Sequence, residues 1–323
     1  MTFRYRNMAP EGNKSEVIIS CHTSVSCVVL RIFPYLIGVV IICGNFLIIM
    51  SVIYFKQLHT PTNYLILSLA VSDLLVGLLT IPLNTKFNRD YCQIHGGLIC
   101  IVQQCIEVTL STASILNLMC ISIDRYYAVC KPLVYKTAIT VSVVVFMILL
   151  SWSISFLLST GFLIAGIIYA KCGTKCYIYI VIVNVSGPIL TFYLPMIIVM
   201  CIYASIFFVA HKQARSIQNR TYHSRTPGAT VRKMERKATK TLAIVLSAFL
   251  VCCCPFFTVW MISFSNKVSV SFEVIDPLSL FVLSNSMLNP FIYALFYSWY
   301  RSAFKIVISG KICLRDFSNT RLE

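Results

Sequence analysis

Ionisable and strongly polar side chains are rare inside the apolar stretches of this sequence, and the few present have definite spacings. Such groups are costly away from water and are retained where they bind an ion, a ligand or one another. Glu107 stands eighteen residues before Arg125; five helical turns, about 27 Å, put the two on one face at opposite ends of a helix. With no Lys or Arg in its own segment, the Glu107 carboxylate requires a cation from outside the chain, which makes it a candidate for holding a ligand. The alternative is a protonated glutamic acid hydrogen-bonded to Gln103 or Ser111.

A second group surrounds Asp73, in the run Leu69-Ala70-Val71-Ser72-Asp73, and Pro290. Asn285, Asn289 and Tyr293 are spaced i, i+4, i+8 and share a helix face, with Ser286 beside them. Pro290 has no N–H for the carbonyl of Ser286, so the helix bends there and that oxygen needs another partner. With Asn45 and Ser114, these residues are expected to close a small cage around Asp73 that holds Na⁺ or water. The competing reading is a polar network that only glues helices together. No nucleophile with a base and no cluster of metal ligands lies elsewhere, so the chain does not read as an enzyme, and no resident cofactor is expected.

The elements that position these groups are long apolar runs. The 323 residues are 58% hydrophobic with mean hydropathy +0.82, too apolar for a soluble domain, and point to a bilayer as solvent. Seven runs have the roughly 20 residues needed to cross it: Phe33 to Phe55, Asn63 to Leu83, Gly97 to Tyr126, Val141 to Ile164, Tyr177 to Ala210, Leu242 to Ser263 and Ile275 to Phe296. On this reading Asp124-Arg125-Tyr126 ends the third helix. Short connections make one bundle over 33–296, between an outer tail, 1–32, and a C-terminal segment, 297–323. The fold class is an all-α membrane protein, a seven-helix bundle. The intramembrane prolines are not paired between two halves, which argues against a transporter or channel using Glu107 and Asp73 as an acid pathway.

Of the 27 Lys and Arg, 18 fall on one side of the bundle and nine on the other, so the positive-inside rule makes the first side cytoplasmic and the N-terminus extracellular. The formal charge of +16 is therefore a matter of topology and not of nucleic-acid binding. The cluster from His211 to Lys240 reads equally as a docking surface and as an orientation signal. Asn13-Lys14-Ser15 is a glycosylation acceptor on the outer tail. Ser298 to Ile308 interleaves Trp299, Phe304 and Ile308 with Arg301 and Lys305, the pattern of an amphipathic helix on the inner membrane surface, with Cys313 beyond it a palmitoylation candidate. Most of the 15 cysteines lie in apolar runs and act as small hydrophobes. On the outer side Cys100 faces Cys172 and Cys176, so one bridge across the mouth is expected, with Cys21 or Cys27 available for a second to Cys172; Cys92 has no evident partner.

Gly44-Asn45, the run ending at Asp73, Cys100, Asp124-Arg125-Tyr126, Trp152, Pro195, Tyr203, Pro255 and Asn289-Pro290-Phe291-Ile292-Tyr293 together resemble the rhodopsin-like class A G-protein-coupled receptors across nearly the whole chain. More narrowly, Asn285-Ser286 followed by Asn289-Pro290, Tyr293, Tyr297 and Trp299, with His211 to Ile217 and Glu235 to Thr241, resembles the trace-amine-associated receptors.

That resemblance implies a plasma-membrane receptor for a small amine, coupled to a heterotrimeric and usually stimulatory G protein, with arrestin and a receptor kinase as further partners. It implies a ligand site of Glu107, Val108, Ser111, Thr191, Phe256, Phe257, Trp260 and Leu283, and a switch of Asp124, Arg125, Tyr126, Tyr203, Glu235, Pro255, Pro290 and Tyr293. In the switch, Arg125 pairs with Glu235 at rest and is captured by Tyr203 and Tyr293 on activation. Three positions depart from the family pattern: Glu107 stands for an aspartate, Leu283 for a tyrosine and Cys253 for a tryptophan. Gly187, Pro188 and Thr191 stand where some fish members carry a second acid for diamines, which favours a single-amine ligand. Glu273 and Asp276 near the outer end of the last helix would steer cations inward. A class A receptor for a non-amine ligand is the alternative function.

Overall fold

The computed structural model describes residues 25–86, 98–172, 182–218, 228–266, 272–296 and 298–309, without side chains at several helix ends and throughout 213–218 and 228–242. All regular structure among these residues is helical. Among the described residues, seven helices are long and apolar enough to cross a membrane. They are α1 (Val25–Tyr54), α2 (Pro61–Leu75, continued through Ile81–Lys86), α3 (Leu98–Cys130), α4 (Val141–Cys172), α5 (Leu194–Gln218, preceded by two wide turns), α6 (Gly228–Asn266) and α7 (Phe272–Phe296). An eighth, α8, covers Ser298–Ile308, as its alternation of rings and basic residues leads one to expect.

Chain punctuation explains where these elements start and stop. Thr60 caps α2 by accepting from the Asn63 N–H at 3.3 Å, with Pro61 at the first helical position, where its missing N–H costs nothing. α3 does not end at Asp124-Arg125-Tyr126; it runs one more turn to Cys130 and stops at Lys131, because the residue before Pro132 is pushed out of the α region. Pro132 then opens a short helix, Pro132–Ala138. Pro82 and Pro195 lie inside spans without ending them, each preceded by a π turn, Val76–Thr80 and Ile189–Tyr193. A π turn carries one extra residue and re-routes the hydrogen bonds that a proline would break.

α3 occupies the centre, two-thirds of its most apolar stretch being enclosed, whereas only 17% of α4's is. Large apolar side chains such as Phe146, Leu157, Phe207, Phe208 and Leu295 point outward, as they should when the surroundings are lipid. Glycine sets two close approaches. Gly38 and Gly77 let α1 and α2 touch, and at Gly44 an added Cβ would lie 2.7 Å from the ring carbons of Pro290 on α7. α8 packs back on α1 through Ala303, Trp299 and Phe55. Arg301 caps the end of α7 by donating to the carbonyls of Ala294 and Leu295 at 3.1 and 3.2 Å.

Candidate functional site

Three groups of side chains line the interior from the middle to either end. At the centre Asp73 of α2 is fully buried and accepts hydrogen bonds from Asn289 Nδ2 at 2.7 Å, Ser286 Oγ at 2.8 Å and Ser114 Oγ at 3.2 Å. Ser72 extends the set, its hydroxyl 3.0 Å from that of Ser114. The carbonyl of Ser286, deprived of its donor by Pro290, receives Asn45 Nδ2 at 3.1 Å. Asn45 thus serves the bent backbone, with its second N–H bond to Ile41 O at 3.0 Å, and makes no hydrogen bond to the Asp73 carboxylate. Asn285 lies buried beside Ser286 on the same helix.

All of Asp73's donors are neutral, so its charge has no counter-ion among the described residues. The side-chain oxygens Asn45 Oδ1 and Asn285 Oδ1 are buried without a hydrogen-bond donor. A buried carboxylate with hydroxyls and spare amide oxygens is an oxygen-only donor set, which suits a hard cation such as Na⁺. The residues present fit the ion anticipated from the sequence, and Asp73 would be its charged ligand.

Toward the outer side, Glu107 of α3 is half-buried, and neither a hydrogen bond nor an ion pair reaches its carboxylate among the described residues. Neither neighbour anticipated for a protonated acid engages it: the Gln103 amide donates instead to Asn84 Oδ1 at 2.5 Å, and Ser111 makes no bond to it. Val108, next in the chain, and Ser111, one turn on, are half-buried. Leu283 of α7 is only 6% exposed and packs in an apolar cluster with Leu110 and Ile106, so it flanks Glu107's turn as sealed packing. Cys100, two turns above, is disulfide-bonded; Cys176, Cys21 and Asn13 lie outside the described residues, as does the side chain of Cys172.

The aromatic residues of α6 form one connected set. Phe256 and Trp260 stack at 6.1 Å, and Phe256 meets Phe257 edge-on at 5.4 Å. Phe257 stacks at 4.1 Å on Phe192 of α5, which also stacks on Phe249 at 6.2 Å. The indole N–H of Trp260 is buried without an acceptor. Thr191 spends its hydroxyl proton on Gly187 O at 2.8 Å and remains an acceptor only.

At the cytoplasmic end Asp124 is buried and receives Arg125 Nε at 2.8 Å, Arg125 Nη2, Tyr135 OH at 2.9 Å and Thr62 Oγ1 at 3.0 Å. Arg125 Nη2 also donates to Thr62 at 2.6 Å. Burial, and then the charge of Asp124, push the Tyr135 phenol above its ordinary range, so it stays a donor. The Lys131 ammonium lies 5.7 Å from the Tyr127 ring and 6.0 Å from the Tyr126 ring. Tyr203 is half-buried on α5, Tyr293 is buried one turn past Asn289, and Pro255 lies within α6. Glu235 stands on α6 where side chains are outside the described set.

Phe192, Phe249, Thr62 and Tyr135 were not marked by the sequence. The first two are apolar residues within apolar runs, and the other two are polar residues at helix ends, where polarity is ordinary. A rule that asked what could reach Asp124 from the turn after Pro132 would have found Tyr135.

Residues 44–293 match the family model described as "7 transmembrane receptor (rhodopsin family)". The chain is similar to trace amine-associated receptor 1 of Macaca mulatta, 38% identical over 86% of this chain and 87% of the relative. It is also similar to trace amine-associated receptor 13c of Danio rerio, 34% identical over 97% and 95%. Trace amine-associated receptor 9 of Mus musculus is 38% identical over 86% and 84%.

Proposed function

Because the chain belongs to the rhodopsin family of seven-transmembrane receptors, and within it to the trace amine-associated receptors, we propose that it senses a single small amine through Glu107 and signals through a stimulatory G protein. It is a multi-pass plasma-membrane receptor and not an enzyme. The observation that carries the ligand reading is the Glu107 carboxylate, half-buried with no Lys or Arg paired to it among the described residues. A half-buried anion without a partner has lost part of its hydration, and a ligand ammonium would offset that loss on binding. In this reading Phe256, Phe257 and Trp260 supply an aromatic wall, and Thr191, Val108 and Ser111 its polar and apolar complement. The unsatisfied Trp260 N–H adds a donor for an acceptor atom on the ligand.

Binding shifts the bundle between two arrangements. In this reading Arg125 leaves Asp124 and Thr62 and is taken up by Tyr203 and Tyr293, while Glu235 holds it at rest and Pro255 and Pro290 let α6 and α7 bend. Na⁺ at Asp73 favours the resting arrangement. Leu133, 97% exposed on the short helix after α3, is an apolar anchor for the G protein. Arrestin and a receptor kinase would meet the same face, α8 rests on lipid, Asn13 carries a glycan, and Cys100–Cys176 closes the mouth with Cys21–Cys172 as a second bridge.

A second reading, a non-amine ligand, is favoured by Leu283, which is sealed in apolar packing where the family pattern has a tyrosine. The experiment that decides between them is cAMP output from cells expressing the chain, challenged with monoamines, diamines and matched neutral analogues. Responses to amines alone, abolished in Glu107→Gln at equal surface expression, support the amine reading. Equal potency in Glu107→Gln would sink the charge pairing.

A further inference from the structure

α2 and α3 run antiparallel and are tied by polar rungs. The hydroxyl of Ser68 donates to Asn117 Oδ1 at 2.9 Å, that of Ser114 to Asp73 at 3.2 Å, and near the outer end the Gln103 amide donates to Asn84 Oδ1 at 2.5 Å. Between the last two rungs, Thr80 and Glu107 each stand four residues from the outer one and seven from the inner one. The two therefore lie at one level, to within the rise of one residue, ~1.5 Å, that the wide turn Val76–Thr80 takes up. The packing agrees: Ile106 and Leu110, on either side of Glu107, share one apolar cluster with Val76 and Ile81, on either side of Thr80. Thr80 is 1% exposed, and its hydroxyl has no hydrogen-bond partner, although a helical threonine ordinarily bonds the carbonyl one turn back. Here that carbonyl, Val76 O, receives the N–H of Ile81 where the turn widens. A buried hydroxyl left without a partner is costly, and this one stands level with a carboxylate that makes no bond among the described residues.

We propose that Thr80 is a specificity-determining contact of the ligand site, its oxygen accepting a second N–H from the ammonium that Glu107 holds, so that the site is built for a primary amine. The proposal rests on the amine reading and narrows it. A primary ammonium has three N–H bonds and can give one to the carboxylate and one to Thr80. A tertiary ammonium has a single N–H, which goes to the carboxylate and leaves Thr80 facing a methyl group. The length of the acid belongs to this arrangement, because a glutamate carries its charge one methylene further from α3 toward α2 than an aspartate does. On the α7 side of the same cluster Leu283 offers no polar atom, so α2 supplies the second contact.

The test measures affinity on the full-length, detergent-solubilised receptor from the concentration dependence of its thermal unfolding, which reports binding whatever G protein is coupled. The probes are the tightest-binding primary monoamine of the panel above and its N-methyl and N,N-dimethyl derivatives. Thr80→Val keeps the shape and removes the oxygen; it is expected to weaken the primary amine by about tenfold to a hundredfold and the dimethyl derivative by less than about threefold. Thr80→Ser should keep the preference of the parent. In Glu107→Asp the preference for the primary amine should shrink, and adding Thr80→Val should cost less than about threefold more; this arm reads the same contact if Thr80→Val fails to fold. Without amine, Thr80→Val should melt no lower than the parent, because the hydroxyl it removes has no partner. Equal losses for the primary and dimethyl amines, an undiminished effect of Thr80→Val in Glu107→Asp, or a lower melting temperature without amine overturns the assignment of Thr80 while leaving the amine reading in place. A parent receptor that no amine stabilises overturns the amine reading and this contact with it.

Discussion

Gly44→Ala should destabilise the receptor although it exchanges glycine for a better helix former. On propensity alone the exchange in a helix interior stabilises by about 1 kcal/mol. Here the new methyl carbon would lie 2.7 Å from both Cβ and Cγ of Pro290. A proline ring cannot rotate away, so α1 and α7 must part by roughly 1 Å, at about 1 to 3 kcal/mol for overpacking. That movement pulls on the bond from the neighbouring Asn45 to Ser286 O, 3.1 Å long, and losing it strands a buried carbonyl for about another 1 to 3 kcal/mol. The net expectation is a loss of roughly 1 to 5 kcal/mol. Gly161→Ala is the matched control, because nothing lies within 4 Å of its added carbon; it should be neutral or stabilising. Thermal unfolding of the detergent-solubilised receptor, followed by thiol accessibility of its buried cysteines, compares the two. Equal melting temperatures for Gly44→Ala and Gly161→Ala would refute the reasoning, since the close approach to Pro290 would then have no energetic consequence.

Tyr135→Phe removes one of the donors that hold Asp124 and should raise ligand-free signalling by about twofold to tenfold, measured as second-messenger output per receptor at the surface; unchanged output would mean that the phenol does not restrain this end. Asp73→Asn removes the only charge in the central network, so raising Na⁺ should lower agonist affinity in the parent receptor and have no effect in the variant; an Na⁺ effect that persists in Asp73→Asn places the ion elsewhere. The loss of amine responses in Glu107→Gln completes the set, and charge-preserving Glu107→Asp should retain a response at reduced potency.

The central network was legible because polar residues in an apolar run identify themselves. Asp73, Ser114, Ser286 and Asn289 meet as their spacing suggests, and the carbonyl that Pro290 strands does find a partner. What the pattern did not indicate was the target of Asn45, since a side chain's choice between a carboxylate and a backbone oxygen depends on how the neighbouring helix bends. The end of α3 was misplaced by one turn because Asp124-Arg125-Tyr126 looks like a polar terminus, while the actual stop is the backbone restriction before Pro132. Glu107 was conspicuous by its charge, yet the bond of Gln103 to Asn84 arises only once α2 and α3 are packed together. The stack through Phe192 was illegible for the opposite reason: one phenylalanine among many apolar neighbours gives no hint of which helix it will touch.

The wide turns in α2 and α5 have a consequence for how such a bundle can vary. Each holds one residue more than a regular helix would, yet the helix continues beyond it. Deleting one residue between Ile189 and Tyr193 should therefore leave both ends of α5 in place and change only which side chain is presented inward at Thr191. The helix thus carries a built-in slot for single-residue length changes, through which ligand preference can be altered by indexing the chain instead of exchanging its chemistry.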